Sequence, residues 1–321
     1  MSTLIGNMLR PVVGVSPKKA LAFSEGNTES WKQLEAGVLA ALEGYHATLD
    51  DSRLEALIPR LNQIDADMRS YAYEGAAMGL TGMDVAMPWR NRLKPFLEGP
   101  GAAHTYMVHI GVGEALALMR RRPEPYLAQL DPVLRWLALD GYGFHKGFFA
   151  QRRYIDAQDV PDFLSPYARR IFSQGIGRAI WFLKGGNVDL VLAAVSRFPT
   201  ARHADLWCGV GVGCAYAGGA DPVSIEMLRR GAGRYAPHLA LGAAVVAKGR
   251  TRAGNPVPHS DLACEIFCDT SSSVAARIVD GAFQNLPLDG PEPAFAVLQQ
   301  RLIQRFMAPV DGLAEHEEVA H

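Results

Sequence analysis

Glycine inside a helix costs roughly 1 kcal/mol against alanine. This chain of 321 residues nevertheless repeats it within segments whose apolar residues follow helical spacing. Tyr73-Glu74-Gly75-Ala76-Ala77 is echoed by Gly111-Val112-Gly113, Lys146-Gly147, Gln174-Gly175-Ile176-Gly177, Cys208-Gly209-Val210-Gly211 and Leu241-Gly242-Ala243-Ala244. The leading glycines stand at 75, 111, 147, 175, 209 and 242, in steps of 36, 36, 28, 34 and 33 residues. An aromatic residue precedes most of them: Tyr73, Tyr106, Phe144, Phe172 and Trp207. Without a Cβ, one helix can approach the next closely, which gives such glycines a packing reason. A period of about 34 with two helices per unit is that of helix-pair solenoids. The expectation is an all-α fold of helix-pair repeats, a tetratricopeptide-like superhelix, with an irregular α bundle as the alternative. Trp207, Val210 and Gly211 match the start of a tetratricopeptide helix, but the remaining signature positions do not hold.

The chain read in order supports the class. Residues 1–27 are Pro- and Gly-rich and predict an irregular arm. Thr28 or Ser30 caps a helix through Gly44. A second helical pattern covers 52–69, with Pro59 expected to kink or split it. Further helices are expected over 68–80, 104–119, 134–139, 167–183 and 188–198, the last capped by Asn187. The glycine-laced run 205–221 comes next, then helices over 222–231, 236–248, 259–268, 271–283 and 293–307. The stretch 87–101 reads as a connection and 142–154 as an aromatic-rich segment. One repeat domain is expected over 28–310, with a polar tail at 311–321 that frays.

Composition removes several classes of function. Lys plus Arg number 32 against 33 Asp plus Glu, so the net charge of −1 leaves no footprint for nucleic acid or a membrane surface. No run reaches the roughly 18 apolar residues of a membrane span. No secretory leader is visible and four cysteines make no disulfide framework, so a cytoplasmic protein is expected.

If the glycines are equivalent, neighbouring offsets form stripes. Two before each glycine stand Tyr73, His109, His145, Ser173 and Trp207; one before stand Glu74, Ile110, Lys146, Gln174 and Cys208; three after stand Met78, Glu114, Ala150, Arg178 and Val212. Offsets −1 and +3 are four residues apart and share a helical face. They predict a groove for a small molecule or peptide, the alternative being interhelix core with solvated rims. The densest segment is 141–154, GYGFHKGFFAQRRY. Here His145 is a candidate acid or base, with Lys146, Glu74 and His109 as further candidates for proton chemistry. Phe144, Arg152, Arg153 and Tyr154, with Tyr73, Gln174, Arg178, Trp207 and Cys208, are candidate ligand contacts, the arginines serving as anion clamps. Cys264 and Cys268 share a face with His259 nearby, but no fourth metal ligand is visible, so the metal reading stays open and none is assigned. GVGVG lacks a preceding strand and a following acid, which disfavours a dinucleotide loop.

The runs YAYEGAAMGL, HTYMVHIGVGEALA, LRWLALDGYGFHKGFF, FSQGIGRAIWF and DLWCGVGVGCAYAGG, continuing into LALGAAVVAKGRTRAGN and HSDLAC, resemble a family of proteins of unknown function encoded beside enediyne polyketide synthases. The resemblance spans roughly residues 20–305. It implies a cytoplasmic accessory protein that handles or modifies a linear polyene, with pathway proteins as possible partners. A non-catalytic helical-repeat scaffold, binding those proteins or the finished product, is the alternative. The resemblance carries over no catalytic residues and names no cofactor.

Overall fold

Several helix starts coincide with side chains that accept from the free N–H groups of a first turn. In the computed structural model, which describes residues 15–23 and 28–307, Ser16 caps the one-turn helix α1 (Pro17–Ala20) and Thr28 caps α2 (Glu29–Asp50). The rest of the expected arm and the whole expected tail lie outside the described residues. α3 (Leu54–Asn62) contains Pro59 and ends three residues later, so 52–69 is a short helix and a turn; α4 (Arg69–Ala86) follows. Within the expected connection lies α5 (Leu93–Glu98), where the Asp84 carboxylate accepts from the N–H groups of Arg92 and Leu93.

α6 (Thr105–Leu118) precedes α7 (Leu137–Phe149), which joins two stretches expected to be separate, and a π-helical turn at Arg152–Asp156 follows it. Ser165 caps α8 (Pro166–Leu183), Asn187 caps α9 (Val188–Ser196), and α10 (Thr200–Ala217) stops at Gly218, whose φ is 66°. Asp221 caps α11 (Pro222–Ala232), and α12 (Ala236–Ala253) ends on Gly254 in the left-handed region. α13 (Pro258–Cys268), α14 (Ser272–Phe283) and α15 (Ala294–Met307) complete the chain. There is no strand among the described residues, and the fold is all-α.

The long helices α2, α4, α6, α7, α8, α10 and α12 pack each on the next, in that order. At each junction a glycine lies against a backbone carbonyl. A Cβ on Gly75 would overlap the Ala41 oxygen, one on Gly111 the Glu74 oxygen, and one on Gly141 the Ile110 oxygen. Gly175, Gly209 and Gly242 meet the oxygens of Asp140, Gln174 and Cys208 in the same way. A second glycine two residues on faces the following helix: Gly113 against Ala138, Gly143 against Phe172, Gly177 against Leu206, Gly211 against Leu239. Two residues turn a helix through about 200°, so each doublet serves both neighbours. In α7 the glycine that makes this backbone approach is therefore Gly141, not Gly147, whose added Cβ would meet side chains alone, those of Ala179, Ile176 and Ile155.

The row of helices bends back on itself. The Tyr71 hydroxyl donates to the Tyr216 carbonyl at 3.3 Å, and Arg250 donates to the carbonyls of Asp67 and Tyr216 at 3.1 and 2.7 Å. α10, α12 and α13 thus close against α2 and α4, and the stripe before and after each leading glycine faces the enclosed interior. No helix among the described residues is long and apolar enough to cross a membrane.

Candidate functional site

Corrected to Gly141, the −1 stripe reads Glu74, Ile110, Asp140, Gln174, Cys208, and the +3 stripe reads Met78, Glu114, Phe144, Arg178, Val212. These positions bring a charged cluster to the centre of the fold. Arg178 lies with its Nε 2.9 Å from Asp140, its Nη1 3.7 Å from Glu74 and its Nη2 3.8 Å from Glu114. Its guanidinium also sits 4.0 Å from the centre of the Phe144 ring. Gln174 donates to Asp140 at 2.9 Å and accepts from the Cys208 thiol and from Gln299 at 3.3 and 3.1 Å.

Three carboxyls surround one guanidinium, and all are taken out of water. Burial disfavours the charged form of a carboxyl, and a second carboxylate nearby disfavours it further. Burial first, then Glu114, pushes the Glu74 carboxyl well above the usual range, against the pull of Arg178. Burial likewise pushes Glu114 up to about 7. The two carboxyls are within hydrogen-bonding reach, and the bond raises Glu74 while lowering Glu114. The proton affinity belongs to the pair as a whole, and burial raises it for both carboxyls against the pull of Arg178.

This pair forms the floor of a pocket of about 80 Å³ that opens toward solvent. Tyr71, Phe144, Phe148, Phe149 and Phe182 line it, with Val38 and Met78, while Glu74, Glu114 and Arg178 supply its charged groups. The mostly apolar lining with a few convergent polar groups is that of a small-molecule site. A second, smaller cavity lies beyond Asp140 and Gln174, lined by Ser70, His104, Tyr106 and Tyr216. Arg178 and Asp140 form the boundary between the two.

Of the residues singled out in the sequence, Glu74, Phe144, Gln174, Arg178 and Cys208 come together here. Glu114 and Asp140 complete the cluster without having been chosen: Glu114 stood on the +3 stripe, and Asp140 was displaced from its stripe by the misplaced third glycine. His145 does not line the pocket. It is buried against Phe149, and burial, with Lys146 and Lys19 nearby, lowers its imidazole to about 3, so it is a neutral core side chain rather than an acid or base near pH 7. His109 is fully buried with its Nδ1 2.7 Å from the Thr105 carbonyl oxygen, and burial lowers its pKa too.

The other candidates lie elsewhere. Tyr73 donates to Asn62 and stacks on Phe96 and His104 at the outer side of α4. Trp207 is buried in the core of α10. Lys146 donates to the Ala117 carbonyl at 3.1 Å and, with Arg153 and Tyr154, lines a basic cleft on the surface; Arg152 lies at its edge.

The His259, Cys264 and Cys268 set is not assembled. His259 stands between Gln33 and the Tyr216 carbonyl, whereas the thiols donate to the Ala243 and Ala240 carbonyls. No group of three or more His, Cys, Asp or Glu side chains placed to hold a metal ion occurs among the described residues.

No curated protein and no solved structure matches this chain. A family model described as "protein of unknown function (DUF1702)" matches residues 3–306, nearly the whole length, and the chain belongs to that family.

Proposed function

We propose that the aromatic pocket binds an extended, unsaturated small molecule and that the Glu74–Glu114 pair moves a proton on it. The observation that carries this reading is the floor of the pocket: two adjoining carboxyls beside a guanidinium, with burial raising the proton affinity of both, that of Glu114 to about 7. A general acid and base work best when their affinity for a proton matches the working pH. A plain hydrocarbon gives up no proton to a carboxylate, so the chain bears a conjugated carbonyl. Glu114 takes a proton from a carbon of that conjugated system, the electrons moving to the carbonyl oxygen. Arg178, whose Nε and Nη2 have no aligned hydrogen-bond acceptor, steadies that oxygen. Glu74 returns a proton at another carbon as the double bonds shift. The proton gained by Glu114 then passes to Glu74, and nothing is added to or lost from the ligand.

The resemblance to proteins encoded beside enediyne polyketide synthases supports a linear polyene, or an oxygenated derivative of one, as the occupant. On this reading the protein serves as an accessory of that biosynthesis.

The test is deuterium incorporation into a linear conjugated polyenone incubated with the protein in heavy water, followed by mass spectrometry. Glu114→Gln and Glu74→Gln should each slow exchange on the order of a hundredfold while keeping the polyenone bound and the helical circular dichroism intact. Binding without any exchange by the native protein would sink the catalytic reading and leave a carrier or scaffold.

A further inference from the structure

The pocket does not end at its aromatic wall. Phe148 and Phe149 line it, and they also line a shallow cleft that holds Lys19, Arg152 and Arg153. Ala150 and Arg153 in turn line both that cleft and a wider one with Arg120, Arg121, Arg122 and Lys146. Phe148 and Phe149 thus stand between the carboxyl floor and a strongly basic surface, with one face toward each. The acids bordering that surface are Asp156 and Asp162, with Asp159 already paired to Arg153 at 3.0 Å. Seven cations thus meet three acids on a chain whose net charge is −1.

Aromatic rings back the cations. Arg122 lies over Phe163, Lys146 over Tyr142 and Arg153 over Tyr154, each about 5.3 Å from the ring centre. These contacts hold the charged groups around the cleft instead of letting them spread into solvent. Burial, then Arg120 and Arg153, lowers the Lys146 ammonium below its usual value, as expected where like charges are crowded without an anion.

We propose that the ligand is an amphiphile: an apolar chain occupies the aromatic pocket while a multiply charged, phosphate-type headgroup rests on Arg120–Arg122, Lys146, Arg152 and Arg153. Guanidinium forks suit phosphate oxygens, and an excess of several cations suits more than one negative charge. The proposal rests on the pocket being the site of the chain, and it adds the polar end of the molecule and the direction in which it lies.

The probes are decyl phosphate, decanoate and decanol, titrated calorimetrically into the full chain at low and at higher salt. Decyl phosphate should bind about tenfold or more tightly than decanol, with decanoate between them, and the gap should narrow as salt screens the cleft. The exposed-arginine variant Arg121→Gln/Arg122→Gln/Arg152→Gln should cut that preference to about threefold or less and leave decanol binding unchanged. Val38→Trp, which fills the pocket, should weaken all three probes.

If decanol and decyl phosphate bind the native protein equally and Val38→Trp blocks both, the headgroup site is wrong and the pocket stands. If decyl phosphate binds as well to Val38→Trp as to the native chain, the joined amphiphile is wrong, because the anion is held without the pocket. A preference that survives the triple variant also overturns the proposal.

Discussion

Arg178 and Asp140 approach to 2.9 Å at the centre of the fold, yet the Nε of one and the Oδ1 of the other are not aligned as a hydrogen bond. Close approach without alignment is the mark of a guanidinium shared among several acids. Arg178 is held by Asp140, Glu74 and Glu114 together, and among the described residues no other cation is paired with any of the three. Taking away one partner of a buried ion pair leaves uncompensated charge and costs about 3–5 kcal/mol.

Arg178→Met should therefore be among the most damaging single substitutions. At pH 8 the loss should be about 3 kcal/mol or more, read from urea unfolding. It should shrink toward pH 5, because protonated carboxyls no longer need a counter-charge. A loss independent of pH would mean that the side chain matters for its packing over Phe144 and not for its charge.

The glycine doublets give a second expectation, with an internal control. Gly209→Ala puts a methyl into the Gln174 carbonyl oxygen, and backbone on both sides must give way. Overpacking of this kind costs about 1–3 kcal/mol. Gly281, in α14, has no atom within 4 Å of an added Cβ, so Gly281→Ala should stabilise by up to about 1 kcal/mol through helix propensity. Opposite shifts in melting temperature for the same substitution would fix the role of the doublet. If both glycines tolerate alanine, the close approach is not what holds the junction.

Much of the fold was legible because it is written in local chemistry. Thr28, Asn187 and Asp221 cap the helices that they precede, and helical apolar spacing identified most long elements. The inward stripe was also legible, since Glu74, Gln174 and Arg178 follow from offsets to a glycine. The error lay in the third copy. Lys146-Gly147 has a glycine at an attractive interval, but it is a single one, whereas Gly141-x-Gly143 repeats the doublet of 111/113, 175/177 and 209/211. That doublet was the available signal for Asp140. Counted from Gly147 instead, the same offsets fall on His145 and Lys146, one turn further along α7. The return of α10 and α12 onto α4, which brings Tyr216 and Arg250 to Tyr71, has no local signature. It depends on contacts between residues more than a hundred positions apart.

Glu114 gives the stability curve a limb of known sign. Its carboxyl ordinarily loses its proton near 4.5 and in the fold does so at about 7. The folded state therefore binds more protons than the unfolded one between those values, and stability falls as pH rises through them. The contribution is complete below pH 4.5 and gone above 7. Glu114→Gln should flatten this part of the curve, seen as a melting temperature that no longer drops by about 2 °C or more between pH 5 and 7.5. An unchanged slope in the variant would assign it to other groups.

His145 should act in the opposite direction and on the acid side. Its imidazole ordinarily titrates at 6.5 and in the fold at about 3, so the unfolded chain takes up a proton that the folded one refuses. Stability from this group is present above 6.5 and is lost as pH falls toward 3. The Nδ1 atom is buried without a hydrogen-bond partner, so replacing the ring with an apolar side chain removes a desolvated polar group as well as a titrating one. His145→Leu should stay within about 1 kcal/mol of the native protein at pH 7.5, gain on it at pH 5, and exchange deuterium into the polyenone at the native rate. If it instead loses exchange while keeping its helical signal and its bound polyenone, the acid–base work belongs to His145, and Glu74 and Glu114 are structural.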